Sequence, residues 1–193
     1  MLVFDNFLPK QYTLEIYNTM STNRFDWYYQ ENTVFDKHNK NLCVTRAPYK
    51  ETPYFQHVFC KDEHVSERFE LIRPMFYFFE YRTGYTIKNV VRCMANCMLP
   101  QNENYLGIPH VDAYSDKSEN IKLKTMLYYV NGADGDTVLF KERYETGNST
   151  LTVDTKCQPK MGKALIFDSN TYHCASSPTT NRRMVINLIF EIE

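Results

Sequence analysis

No run of apolar residues in this chain of 193 approaches the roughly 20 that a membrane-spanning helix needs. The sequence also has almost no net charge: 22 Lys and Arg against 23 Asp and Glu leave −1, so no overall attraction draws it to nucleic acid or to an acidic membrane surface. Met1-Leu2-Val3-Phe4-Asp5-Asn6 lacks the basic segment and long apolar stretch of a secretory signal, and the expected location is the cytoplasm. Repeats, low-complexity tracts and Gly/Ser-rich linkers are missing as well, which predicts one domain over residues 1–193. There is no CxxC pair. Cys93 and Cys97 stand four apart inside a strand-like run, so they read as core residues, and free thiols are expected for all six cysteines in a reducing compartment.

What is present changes character part-way along. Leu2, Phe4 and Phe7 read as a short strand before Pro9. Tyr12, Ile16, Tyr17 and Met20 then recur at helical spacing until Ser21-Thr22-Asn23. Residues 24–60 hold many aromatics without a clean period, Trp27 among them, and read as short strands and loops in which the aromatics pack. Val65, Phe69, Ile72, Met75, Phe76 and Phe79 keep the 3.6 period up to Gly84, a C-terminal cap residue, and Pro74 should kink or split that helix. Residues 1–84 are therefore expected to be mostly helical.

From Ile87 the pattern is β. Ile87 to Leu99 reads as a long strand ended by Pro100. Its face of Arg92, Met94, Asn96 and Met98 suggests a lined cavity. Runs at 124–130, 136–141, 150–156 and 161–167 follow, then a strand through His173 and a last one from Arg182. The fold class expected is α+β, mainly β: a double-sheet jelly roll (double-stranded β-helix) over 85–193, with N-terminal helices buttressing one face.

The chemistry gathers around His110-Val111-Asp112. In an extended backbone, residues i and i+2 share a face, so one short piece of chain offers a nitrogen and an oxygen ligand to one ion. A third ligand must come from elsewhere, and His173 is the only histidine further on. Two histidines and a carboxylate make the facial triad of non-haem Fe(II) oxygenases. Ten residues past His173 stands Arg183, at the head of the apolar run Met184–Phe190, where a buried guanidinium could hold a carboxylate by two parallel hydrogen bonds. His38, His57 and His64 have no patterned partners and read as surface or ordinary polar histidines. The loop 113–120, with Tyr114, follows Asp112 directly. It reads either as a mobile cover that meets substrate or as a plain solvated connection.

His-x-Asp, a distal His and an Arg ten residues later resemble the 2-oxoglutarate- and Fe(II)-dependent dioxygenases, in particular the prolyl-hydroxylase-like branch and its small phage-encoded members. Lys124-Thr125-Met126-Leu127-Tyr128-Tyr129-Val130-Asn131 is similar to that family's Tyr-Tyr-Leu-Asn strand. Asp134-Gly135-Asp136-Thr137-Val138-Leu139-Phe140 is similar to its Gly-Gly-acidic-Thr-x-Phe strand, and residues 159–168 resemble the strand leading to the distal His. The resemblance covers roughly residues 85–193. It implies Fe(II) on His110, Asp112 and His173, and 2-oxoglutarate and O2 as co-substrates. The far carboxylate of 2-oxoglutarate would lie on Arg183 with help from Tyr129. Arg182 competes for the clamp; in the family's paired arginines the second leads the apolar strand, which favours Arg183. The activity implied is hydroxylation of a small-molecule or peptidyl substrate, a prolyl or other amino-acid side chain being one option, with 2-oxoglutarate decarboxylated to succinate. Two other classes stay open: a cupin-like metal enzyme without 2-oxoglutarate, which needs no buried Arg183, and a catalytically silent jelly-roll binding protein.

Overall fold

A computed structural model describes residues 1–31, 49–50, 52–113, 121–144 and 150–193. In chain order the elements are β1 (Leu2–Phe4), α1 (Lys10–Ser21), β2 (Tyr28–Gln30), β3 (Tyr54–Lys61), β4 (His64–Val65), a 3-10 turn (Phe69–Leu71), α2 (Pro74–Thr83), β5 (Ile87–Met98) and β6 (Lys122–Tyr129). They continue with β7 (Thr137–Arg143), β8 (Val153–Cys157), β9 (Ala164–Asp168), β10 (Thr171–Ala175) and β11 (Arg183–Ile192). Nearly all the secondary structure after α2 is strand. Among the described residues, an eight-stranded antiparallel sheet runs β1-β9-β6-β11-β5-β3-β2 with β4 paired to β3, and a three-stranded sheet runs β10-β7-β8.

The period-two alternation of the long central strands divides the large sheet into two faces. One face carries Cys93, Ala95 and Cys97 of β5, Met126 and Tyr128 of β6, and Met184, Ile186, Leu188 and Phe190 of β11. All join one apolar cluster with Ile16 and Met20 of α1 and Met75 and Phe79 of α2. The helices form because Thr13, Ile16 and Met20, and likewise Met75 and Phe79, recur at the spacing that lays one stripe on that face. The other face carries Leu127, Tyr129, Leu165, Phe167 and Val185, which cluster with Leu139 and Cys157 of the small sheet. The space between the sheets is therefore lined by the second face, and the helices cover the first.

Two expectations are corrected here. The apolar period from Val65 is split at Pro74, one of the two expected outcomes, but its first part is not α-helix. Val65 lies in β4, the 3-10 turn follows, and Pro74 opens α2 at its first turn, where its missing N–H costs nothing. Gly84 does close that helix, with φ at 72° and its N–H on the Glu80 carbonyl at 2.9 Å. The first 84 residues are also less helical than expected, because β2, β3 and β4 extend the large sheet beyond β5. Of the two readings for His57 the ordinary polar one holds: it is buried, with Nδ1 donating to the Asp26 carbonyl at 2.8 Å and Nε2 accepting from the Ser66 hydroxyl at 2.9 Å. His38 and, apart from Ala113, the loop 113–120 with Tyr114 lie outside the described residues.

No helix among the described residues is long and apolar enough to cross a membrane.

Candidate metal centre

His110 and His173 are placed by backbone. They form an isolated antiparallel bridge in which each N–H donates to the other's carbonyl at 2.9 Å. His173 lies in β10, so this bridge sets His110 along the edge of the small sheet. A hydrogen-bonded antiparallel pair projects its side chains to one side, and the two imidazole centroids are 4.5 Å apart. Each ring is oriented from behind in the same way: Nδ1 of His110 donates to the Ile108 carbonyl and Nδ1 of His173 to the Thr171 carbonyl, both at 3.0 Å. Only the protonated nitrogen can donate, so Nε2 of each ring keeps its lone pair for a ligand.

Asp112 crosses from the small sheet to the large one. Its backbone N–H donates to the Ser169 carbonyl at 3.0 Å, and the segment bends there, so the sequence expectation of a strand through His110 and Asp112 is replaced by a bridge followed by a bend. The carboxylate is held by three adjacent strands of the large sheet. Arg92 of β5 donates to Oδ1 at 2.8 Å, Asn187 of β11 donates to Oδ1 at 3.1 Å, and Thr125 of β6 donates to Oδ2 at 3.0 Å. Strand register accounts for the convergence, since Ile189 pairs with both Arg92 and Thr125, and Asn187 stands two residues away on the same face. Oδ2 also faces Nε2 of His173 at 3.4 Å. The ligand atoms of His110, Asp112 and His173 all lie within 4.8 Å of one another.

Electrostatics keeps His110 and Asp112 in their ligating forms. Burial pushes the Asp112 carboxyl up, but His173, Arg92, His110 and the Asn187 amide outweigh it and hold the group down at about 2. Loss of water pulls His110 down to about 4, and His173 and Arg92 act in the same direction. A carboxylate beside an imidazole kept neutral binds a divalent ion without first shedding protons from these two groups. The donor set of two imidazole nitrogens and one carboxylate oxygen fits Fe(II).

A cavity of ≈ 80 Å³ joins this cluster to Arg183; its lining includes His110, Ile108, Asn96, Met98, Tyr54 and Arg183. Arg183 is buried. Its Nε donates to the Gly135 carbonyl at 2.9 Å and Nη2 to the Thr137 hydroxyl at 2.7 Å, while the Tyr129 hydroxyl donates to Thr137 Oγ1 at 2.8 Å. The Arg183 guanidinium also lies 5.7 Å from the centre of the Tyr129 ring. Gly135 is required at its place, since an added Cβ would come within 2.6 Å of the Ser176 carbonyl oxygen. These hydrogen-bond partners are neutral, and burial pulls the guanidinium below its ordinary value. A buried cation with neutral partners, beside a cavity that reaches a metal-ligand cluster, fits an incoming carboxylate. Arg182 points elsewhere, donating to the Ser21 carbonyl at the end of α1 at 3.3 Å. Tyr128, on the opposite face from Tyr129, bonds Thr13 of α1 at 3.1 Å.

Sequence reasoning did not name Arg92, Thr125, Asn187 or Thr137 as parts of the site. For Arg92 a signal existed, since a charged residue sat on a face otherwise read as a cavity lining.

Comparison with known proteins follows this geometry. A family model for the 2OG-Fe(II) oxygenase superfamily matches residues 93–191, a stretch that contains all five of His110, Asp112, Tyr129, His173 and Arg183. Solved structures share the fold. One is a prolyl hydroxylase from Trichoplax adhaerens in complex with a peptide fragment of hypoxia inducible factor. It has 16% identity and a TM-score of 0.59, with 98% of this chain and 83% of that one covered. A 2OG-Fe(II) oxygenase family oxidoreductase from Burkholderia pseudomallei has 13% identity and a TM-score of 0.62, covering 98% and 84%. The viral collagen prolyl hydroxylase of Paramecium Bursaria Chlorella virus-1 has 17% identity and a TM-score of 0.52, covering 97% and 94%. No curated protein matches the sequence.

Proposed function

This chain belongs to the 2OG-Fe(II) oxygenase superfamily, and from that premise we propose that it hydroxylates a prolyl or other amino-acid side chain. As a member it is an oxidoreductase that uses Fe(II), 2-oxoglutarate and O2. In our reading residues 1–193 form one dioxygenase domain, a double-stranded β-helix buttressed by α1 and α2. His110, Asp112 and His173 hold the metal. Bound Fe(II) supplies the dioxygen chemistry that couples decarboxylation of 2-oxoglutarate to succinate with oxygen insertion into a substrate C–H bond.

The protein's own contribution is positional. The reciprocal bridge of His110 and His173 fixes two ligand nitrogens. Arg92, Asn187 and Thr125 fix the carboxylate. Arg183 takes the far carboxylate of 2-oxoglutarate as a fork, and Tyr129 supports it through Thr137. The apolar wall of Met98 and Ile108 strengthens that ion pair by keeping water from it. The observation that carries the reading is the cavity with His110 at one end and a buried, neutrally partnered Arg183 at the other. A metal enzyme without a keto acid, or a silent binding protein, has no use for that arginine.

The substrate class rests on two of the structural relatives. One was solved with a peptide, and the other is a collagen prolyl hydroxylase. The test is succinate release on adding Fe(II) and 2-oxoglutarate, with and without proline-containing peptides. Turnover stimulated by a peptide, with mass added to its proline, is the expected result. Peptide-independent turnover that no proline or amino-acid substrate raises would remove the substrate class while leaving the dioxygenase in place.

A further inference from the structure

Away from the metal centre, two thiols face each other across the large sheet. Cys60 of β3 is the register partner of Cys93 of β5, next to a bulge between Val58 and Cys60. Both side chains lie on the helix-covered face, Cys93 inside the apolar cluster and Cys60 packed at its margin. Antiparallel partners have Cα atoms about 4.5–5.5 Å apart, inside the roughly 4.4–6.8 Å that a disulfide spans. The thiol and the backbone of Cys93 lie close enough to the Cys60 sulfur to favour its thiolate.

We propose that Cys60 and Cys93 are an oxidisable dithiol, closed to a disulfide by hydrogen peroxide or a related peroxide. The two sulfurs are not equivalent, and their differences set the order of events. Cys60 is half-buried, while Cys93 is buried. The closeness of Cys93 favours the thiolate at Cys60, whereas burial pushes the Cys93 thiol strongly up. Cys60 therefore attacks first. Its sulfur bonds to one peroxide oxygen, the O–O bond breaks, and hydroxide leaves, giving a sulfenic acid at Cys60. The Cys93 sulfur then attacks the Cys60 sulfur, the S–O bond breaks, and the hydroxyl departs as water with the Cys93 proton. In total two thiols lose two electrons and one peroxide becomes two waters.

The other described cysteines have no such partner across a strand. Cys97 is opposite Phe55, and Cys157 and Cys174 sit in separate apolar clusters. The bond would tie β3, which carries Tyr54 of the cavity wall, to β5, one residue from Arg92.

The experiment uses the full chain, reduced, with a chelator present to suppress iron-driven radical chemistry. It is treated with hydrogen peroxide, alkylated, and digested without reductant for peptide mapping by mass spectrometry. A reducible Cys60–Cys93 peptide pair should appear, with Cys60 and Cys93 lost together and roughly tenfold faster than Cys97, Cys157 or Cys174. In Cys93→Ser, Cys60 should be trapped as a sulfenic acid by dimedone. Cys60→Ser should leave Cys93 free to alkylate once the protein is unfolded. Both thiols remaining alkylatable in the wild-type chain under excess peroxide would overturn the proposal, as would Cys60 paired with any other cysteine. The wild-type map decides the matter even if either serine variant folds poorly.

Discussion

The two ends of the site are built on opposite principles. At one end Asp112 is an anion whose neighbours already answer its charge: Arg92, Asn187 and Thr125 bond its oxygens, and two imidazoles lie beside it. At the other end Arg183 is a buried cation whose hydrogen bonds go to a carbonyl and a hydroxyl. At the first end the charge is already answered within the protein, which holds the carboxylate in place. The second is answered inside the protein only by the more distant Asp136, and so leaves most of its charge to be met by whatever enters. A metal site needs rigidity before the ion arrives, whereas a co-substrate site gains selectivity when its last partner is the ligand itself.

The sharpest way to break the contrast is at the anionic end. Asp112→Ala removes the anionic ligand and should abolish Fe(II) binding in a metal titration; retained affinity would mean that the metal sits elsewhere. Next in size is Arg183→Ala, which should weaken 2-oxoglutarate binding roughly a hundredfold, about 3 kcal/mol for a charge-assisted fork, with little change in metal affinity. Calorimetry with each ligand in turn separates the two effects. Arg183→Lys should restore part of the loss. Arg182→Ala, on the helix-facing side, should change 2-oxoglutarate affinity by less than about twofold, and a larger loss there would reassign the clamp. Arg92→Met takes away only a brace, and Fe(II) affinity should fall by roughly tenfold as the carboxylate loses its orientation.

A separate effect is on the pH dependence of stability. His110 is held at about 4 in the fold against an ordinary 6.5, so between those values the unfolded chain takes up a proton that the folded chain refuses. Acid in that window favours unfolding. Asp112, lowered from 3.8 to about 2, adds stability that is complete above 3.8 and lost toward 2. The urea midpoint of the metal-free chain should therefore drop from pH 6.5 to pH 4, with a shallower drop in His110→Gln. An identical slope in wild type and variant would mean that His110 is not the group responsible.

The same contrast marks what could be read before the fold was known. That His110, Asp112 and His173 come together was legible from a family pattern, although the extended backbone expected through His110 and Asp112 is a bridge followed by a bend. The choice of Arg183 over Arg182 came from that pattern, and strand parity put Tyr128 opposite Tyr129. The braces of Asp112 were not legible. Arg92, Thr125 and Asn187 lie on three strands, and their convergence depends on a register set by the whole sheet, which no local spacing encodes. The same limit applied at Pro74, where an apolar period ran across two elements because the 3-10 turn and α2 feed one core. Which of the two readings holds for His57 was likewise not legible, since its partners Asp26 and Ser66 are distant in sequence from it and meet it in the folded sheet.

The bridge between His110 and His173 is a single rung, and the next rung, Leu106 to Ser176, stands apart from it. Two isolated rungs behave like rivets through separate points of a seam. Insertions in the chain beyond Asp112 can lengthen the seam without moving the rivet that spaces the ligand nitrogens. The rim of such a site is free to diversify toward new substrates while the metal's seat stays unchanged. Lengthening the chain after Ala113 by a few residues should accordingly leave Fe(II) affinity intact and alter only which substrates are accepted.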